Sequence, residues 1–290
     1  MAAQLTWLVT GCSSGLGEAM ARAIIAKGDR VIATARGGNG ISGAERLSAL
    51  QEAGAAVLEL DVTASQEELN EKAKEAWAIY GHIDVLVNNA GYLEAGLLEE
   101  LNEELFTNSL RVNVMGPLNL TRALLPFMRE RKTGTLLFVG SVSVHYIMPG
   151  ATSYIGSKSL LEGIVPSLAA ELAPFNLRTS LLTFGHFSTD LASPGHVQFR
   201  VPNPVPEYAD LNKQLAEQSA AGSKDWPGHP GKGCELVVEA VRGEGRCEGK
   251  ELPVRLPIGA DTFDIMRADL NARLKICDEW QDVMSQTNRE

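Results

Sequence analysis

Leu5 to Ala35 reads LTWLVTGCSSGLGEAMARAIIAKGDRVIATA. Its first six residues are an apolar run rich in β-formers, short enough for a strand. A turn with glycines at 11, 15 and 17 follows, then an amphipathic segment that stops at Gly28. Met20, Ala23, Ile24 and Ala26 suit a helix lying on a sheet, and Gly28 suits the left-handed residue after a helix. Arg30–Ala35 is a second strand. Strand, glycine turn, helix and strand in about 30 residues form a βαβ crossover, which joins parallel strands.

The alternation continues along the chain. The pattern predicts helix over Ser42–Ala53, strand over Ala56–Leu60, and a helix Gln66–Tyr80 capped by Ser65 and ended by Gly81. Asp84–Asn88 is a fourth strand. A long helix spans Asn102–Arg129, with Pro117 and Pro126 as kink points. Thr135–Val139, the helix Thr152–Ala173 and the strand Arg178–Thr183 complete the regular part. The expected fold is a Rossmann-type, doubly wound parallel α/β sheet of about seven strands with helices on both faces.

The rhythm breaks at Asp190. Six of the 13 prolines and two histidines fall between there and Gly233. That stretch, with a helix over Pro206–Ala221, reads as a substrate-binding lid inserted at 190–233 rather than a linker. Leu191, Val197, Phe199, Val201, Tyr208 and Trp226 give it an apolar character that suits a lipophilic substrate. Leu236–Arg242 reads as helix and Glu251–Arg255 as a seventh strand. In the extension 256–290, Phe263, Met266, Leu270, Leu274, Cys277, Trp280 and Met284 mark an amphipathic helix packed on the body or on another subunit. Residues 1–290 are expected to form one domain.

Composition narrows the classes. Apolar residues at 44% are ample for a core, and a formal charge of −10 disfavours nucleic acid or an anionic membrane as partner. Thr133–Ser157 carries no formal charge, but its Ser, Thr, Gly and Pro content is foreign to a membrane span. Cys12, Cys234, Cys247 and Cys277 form no CxxC pair, so reduced thiols, no metal and a cytoplasmic location are expected. No signal peptide is visible at the start.

Two sites carry chemistry. Glycines between a strand and a helix let backbone N–H groups approach a pyrophosphate at the helix's positive end; without a ligand the same turn is simply tight. The second strand ends Thr34-Ala35-Arg36, with no carboxylate for a ribose 2′-hydroxyl. Arg36 can instead pair with a 2′-phosphate, which favours NADP over NAD; its alternative is a solvated surface arginine. Further on, Tyr154 and Lys158 stand four apart at a helix start, on one face, with Ser141 at the preceding strand end. A tyrosine near ~10 must fall roughly three units to serve at neutrality, about 4 kcal/mol. A cation ~4 Å away supplies about that at an effective dielectric of ~20.

TGCSSGLG (Thr10–Gly17), Asp61-Val62, Asn88-Asn89-Ala90-Gly91, Asn113, Ser141 and Tyr154-x3-Lys158 stand in the order and spacing of the short-chain dehydrogenase/reductase family. The resemblance covers about Leu5 to Asp190. Pro253–Asp264, PVRLPIGADTFD, is similar to its fungal NADP-dependent branch. The resemblance implies reversible hydride transfer between NADPH and a ketone or secondary alcohol, in a homodimer or homotetramer. Tyr154 would be the general acid, Ser141 would bond the substrate oxygen, and Lys158 would hold the nicotinamide ribose. Asn113, in a local distortion of the long helix, would hold a water that links Lys158 to solvent. Gly11, Ser13, Ser14, Gly15, Leu16 and Gly17 would cradle the cofactor, with Arg36 at the 2′-phosphate. Asp61 and Val62 would flank the adenine, and Asn89, Ala90 and Gly91 the adenosine side. After the sixth strand Phe184 stands where the family has Pro; Gly185 and Thr189 are kept, and Phe187 and Thr189 would lie along the nicotinamide.

Two other readings use the same residues. A dehydratase or isomerase would use Tyr154 and Lys158 for proton transfer alone, and an NADP-binding regulatory protein would need neither Ser141 nor Tyr154. His145 and His186 could face the substrate, though a lone histidine is more often structural.

Overall fold

The computed structural model describes residues 3–38, 40–189, 198–223 and 225–287. Leu191 and Val197 of the expected lid lie outside the described residues. Seven parallel strands form one sheet: β1 (Thr6–Val9), β2 (Arg30–Ala35), β3 (Ala56–Glu59), β4 (Val85–Asn88), β6 (Gly134–Ser141), β7 (Leu177–Phe184) and β9 (Arg255–Ile258). Their order is β3-β2-β1-β4-β6-β7-β9, so the direction of winding reverses between β1 and β4. A second, two-stranded sheet pairs β5 (Glu94–Ala95) with β8 (Gln198–Phe199).

Alternation along the strands divides the core in two. Trp7, Val9, Val31, Ala33, Val87 and Leu137 face helices α1 (Gly15–Ala26) and α9 (Pro230–Arg242). Leu8, Ile32, Leu86, Leu136 and Phe138 face α4 (Gln66–Tyr80), α6 (Gly116–Arg131) and α7 (Thr152–Leu172). Each such side chain stabilises by about 1.5–3 kcal/mol on burial. The Ser65 cap is a full capping box with Glu68, and Gly81 closes α4 at φ 77°.

Several boundaries differ from the sequence expectation. The predicted Ser42–Ala53 helix is two short ones, α2 (Gly43–Arg46) and α3 (Ser48–Glu52), broken at Leu47, whose ψ is 7°. The long helix is three pieces: α5 (Glu103–Leu110), a π turn (Arg111–Met115) and α6. Pro117 stands in the first turn of α6 directly after the π turn, where its missing N–H leaves the Asn113 carbonyl without an α-helical donor. The seventh strand starts at Arg255, where the predicted one ended. Pro253 lacks a ladder N–H and its carbonyl is taken by the Ser180 hydroxyl at 2.7 Å, so pairing begins at Leu181–Arg255. β5 and β8, two residues each, were not foreseen.

Helix α8 (Ala209–Ala221) fills the expected place in the lid. Helix α10 (Ala260–Met284) does not lay its apolar stripe on the body: Phe263, Leu270, Leu274, Trp280 and Met284 are all more than half exposed. Among the described residues no helix is long and apolar enough to cross a membrane, and no group of acidic, His and Cys side chains could hold a metal ion. Cys12, Cys234 and Cys247 are buried and Cys277 is exposed, all unbridged.

Candidate active site

The glycine turn is built on contacts that leave no room for side chains. A Cβ on Gly17 would stand 2.1 Å from the Gly11 carbonyl oxygen, and Gly11, at φ 71°, lies against Ala90. Asn89 fixes the turn by donating to the carbonyls of Thr10 (2.8 Å) and Gly11 (3.2 Å). The Thr10 hydroxyl accepts from the N–H groups of Asn89 and Ala90 at 3.0 and 2.9 Å. Strand ends β1 and β4 are thus locked together where the winding reverses, the position of ligands in open α/β sheets. Ser14 occupies the N-cap of α1 without bonding it through its side chain. Unsatisfied N–H groups at a helix start suit an anion such as a pyrophosphate. The Gly15 position faces the Thr189 side chain at 3.6 Å, which brings the post-β7 loop over the same turn.

Beside it, Arg36, Gly37, Gly38, Ser42, Glu59 and Asp61 line an open cavity of about 460 Å³. Arg36 is exposed there. Glu59 accepts the Gly43 N–H at 2.7 Å, which ties its carboxylate to the start of α2. Asp61 accepts from the Thr63 N–H and hydroxyl, both at 2.8 Å. Val62 is buried against Gly116, whose Cβ would come within 2.9 Å of it.

Ser141, Tyr154, Lys158 and Asn113 gather at the C-terminal end of β6. Tyr154 and Lys158 lie one turn apart on α7, both buried. The Lys158 ammonium donates to the Val139 carbonyl at 2.8 Å and lies 5.8 Å from the centroid of the Tyr154 ring. Burial pushes the Lys158 ammonium down to about 8. Burial pushes the Tyr154 phenol up, a hydrogen bond with Ser141 works against this, and the neighbouring Tyr146 adds to the rise. The expectation that Lys158 alone brings the phenol toward neutrality is therefore corrected. Burial raises the phenol, the bond that opposes this comes from Ser141, and the lysine proton is directed to the Val139 carbonyl. Ser141 Oγ accepts the Ser143 N–H at 3.2 Å and lies 2.9 Å from Ser143 Oγ.

Asn113 sits in the π turn, a local bulge that turns its side chain inward. Its amide donates to Tyr92 O and Ser157 Oγ, both at 3.0 Å, and its carbonyl oxygen accepts the Tyr92 N–H at 3.0 Å. Gly91 is hemmed by Asn113 and Lys158: a Cβ there would lie 3.1 Å from Asn113 Oδ1 and 3.6 Å from Lys158 Nζ.

Known proteins match this chain in sequence and fold. The family described as short chain dehydrogenase matches residues 6–196. The chain belongs to the short-chain dehydrogenase/reductase family. An oxidoreductase named BOA17, from Botryotinia fuckeliana, is 31% identical over 264 residues, 89% of this chain and 90% of the relative. A short-chain dehydrogenase crystallised from Streptomyces avermitilis is 35% identical with a TM-score of 0.84, covering 99% of this chain and 100% of its own. A variant of actinorhodin polyketide ketoreductase solved with NADPH is 25% identical with a TM-score of 0.70, covering 90% of this chain and 99% of its own. The protein is a ketoreductase-like oxidoreductase of the short-chain dehydrogenase/reductase family that takes an NAD(P)-type cofactor.

Within this short-chain dehydrogenase/reductase site, the loop after β7 separates the roles of ring and backbone at Phe187. Phe187 carries its ring into the core, edge-on to Phe184 at 5.2 Å and against Gly233, so only its backbone is free to lie along a cofactor. Residues that the motifs did not mark also matter. Tyr92 and Ser157 hold Asn113, and Ser143 touches Ser141. Glu59 was missed because it ends β3 rather than β2, and only the fold brings it to Arg36. His145 and His186 each pair with an aspartate of α10, Asp269 and Asp261, at 2.7 and 2.8 Å.

Proposed function

We propose that the chain is an NADP(H)-dependent ketoreductase that interconverts a ketone and a secondary alcohol, with Tyr154 as general acid and base. The observation that carries this reading is the convergence of a buried, protonated phenol, a serine hydroxyl bonded to it and a buried lysine at one strand end. The glycine turn opens toward the same side of the sheet. The residues present fit a dinucleotide. The N-terminal N–H groups of α1 and the Gly11–Gly17 turn would hold its pyrophosphate, Asp61, Val62, Asn89, Ala90 and Gly91 its adenosine, and Arg36 a 2′-phosphate. Lys158 would hold the nicotinamide ribose. When bound, the nicotinamide ring supplies or takes the hydride.

Every other step belongs to the chain. Ser141 would donate to the substrate carbonyl oxygen and fix it beside Tyr154. As negative charge develops on that oxygen, the Tyr154 O–H bond breaks and its proton passes to it. A phenol held above its ordinary value keeps that proton at neutral pH, which suits the reductive direction. The cation of Lys158 would stabilise the phenolate left behind. Asn113 has its side chain fully engaged, so its backbone carbonyl is what remains for a water leading to Lys158. Residue 117 is proline, and the N–H that an α-helix would aim at that carbonyl does not exist.

Residues 1–290 are read as one domain with 190–233 as its lid. The pairing of β8 with β5 and the contact of Leu215 and Phe199 with the Gly150 position support this. The test is NADPH oxidation by the purified protein across a panel of aliphatic and aromatic ketones. Turnover that is lost in Tyr154→Phe is expected. No cofactor consumption with any ketone, together with dehydration or isomerisation of a hydroxy compound, would replace the redox reading with proton transfer alone.

A further inference from the structure

Three side chains from three separate segments form a hydrogen-bonded chain beside the catalytic tyrosine. Asp261, near the start of α10, accepts from the backbone N–H of His186 and faces His186 Nδ1, both through Oδ2 at 2.8 Å. His186 Nε2 lies 3.1 Å from the Tyr146 hydroxyl. Among the described residues the Tyr146 hydroxyl bonds His186 alone. Burial and the Asp261 charge both push the Tyr146 phenol up, so it is a neutral hydroxyl.

The chain's place in the fold aims it at substrate rather than cofactor. Tyr146 follows the short 3₁₀ turn Val142–His145 that begins directly after Ser141. His186 follows Gly185 at the end of β7, and Ser141 and Phe184 are register partners at the ends of β6 and β7. The phenol therefore bridges the C-terminal ends of two adjacent strands, on the Ser141 side and close enough to Tyr154 to perturb it. Trp226, from the lid segment, meets the His186 ring edge-on at 5.0 Å and covers it.

The donor pattern is fixed by the carboxylate. Asp261 can only accept, so a single ring proton on His186 sits at Nδ1 and leaves the Nε2 lone pair facing Tyr146. Tyr146 then donates its one proton to Nε2, and its oxygen is left as an acceptor. We propose that Tyr146, oriented by His186 and Asp261, is a specificity-determining residue that accepts a hydrogen bond from a second hydroxyl on the substrate. The preferred substrate is a hydroxy ketone, or in the reverse direction a diol. Tyr146 touches the substrate; His186 and Asp261 are positioning residues. This rests on the ketoreductase reading, since Tyr154 and Ser141 define where the reacting oxygen lies.

The experiment compares hydroxy ketones, from hydroxyacetone upward in chain length, with their methyl ethers, which keep the oxygen and lose the donor. Binding to the NADPH complex is read by calorimetry in the Tyr154→Phe background, and kcat and KM in the otherwise native enzyme. At the best chain length the hydroxy ketone is expected to bind about tenfold tighter than its ether, and Tyr146→Phe to remove that ratio with KM rather than kcat affected. His186→Gln, whose side chain can still accept from Tyr146, is expected to restore part of the ratio that His186→Leu loses. Equal affinities for alcohol and ether at every length, or equal losses for both in Tyr146→Phe, would overturn the proposal. Discrimination in binding without any turnover in the native enzyme would leave Tyr146 in its role and instead defeat the ketoreductase reading.

Discussion

The Lys158 ammonium donates to the Val139 carbonyl across 2.8 Å, stitching the second turn of α7 to β6 inside the core. A cation so enclosed carries a desolvation cost, and its pKa falls from 10.5 to about 8. The difference, 10.5 minus 8, corresponds to about 3 kcal/mol. Below pH 8 the cost is present in full. Between about 8 and 10.5 the unfolded chain keeps the proton that the folded chain has lost, so stability rises with pH. Urea midpoints of the apoprotein across that window, compared with Lys158→Met, are expected to show a relative gain of about 3 kcal/mol for the native chain. Parallel pH curves for the two proteins would remove the argument.

Tyr154→Phe deletes the proton donor and keeps the ring that fills the site. Its turnover is expected to drop by roughly 10²–10⁴, the usual contribution of a positioned acid. NADPH affinity, read by fluorescence titration, is expected to change less than about twofold, on the ordinary scatter of such contacts. Ser141→Ala should lose turnover as well, because the hydroxyl that would fix the substrate oxygen beside Tyr154 disappears with it.

Arg36 stands exposed in a cavity that it shares with two carboxylates, Glu59 and Asp61, and both of these are bonded to backbone N–H groups. A charge-assisted bond from it is worth about 1.5–3 kcal/mol. Arg36→Ala is expected to raise KM for NADPH by about tenfold or more and to leave KM for NADH nearly unchanged. An unaltered ratio of the two would mean that some other group reads the 2′ position.

Asn113→Ala would strip partners from both the N–H and the carbonyl of Tyr92, inside the wall of the site. Each orphaned buried group costs about 1–3 kcal/mol. The denaturation midpoint is expected to fall accordingly, and Asn113→Asp, which can still accept from the Tyr92 N–H, to recover part of the loss.

The layered fold was legible because its signals are local. Periodicity in Leu5–Ala35, the Ser65 capping box and the glycine stops all act within one turn of the chain. The pair proposed for catalysis was legible for the same reason, since Tyr154 and Lys158 share one helix. What escaped depends on distant partners. Glu94–Ala95 is two residues long, and only pairing with Gln198–Phe199 makes it a strand. The π turn over Arg111–Met115 gave no periodic signal of its own, and only the family resemblance pointed to a distortion at Asn113. The lysine effect was misjudged since charge separation in sequence says nothing of burial. His186 and Tyr146 looked isolated at 40 positions apart, and Asp261 lies 75 further on.

Strand β9 and helix α10 are made last. β1 to β4, the glycine turn and the residues proposed for the pyrophosphate and adenosine all precede Asn113 in the chain. The substrate side has to wait for Asp261 and Asp269, which hold His186 and His145. A chain clipped in the exposed stretch before β9 would lose both aspartates and with them the partners of His186 and His145. Helix α10 therefore sets two histidines that lie 124 and 75 residues before their partners in the chain.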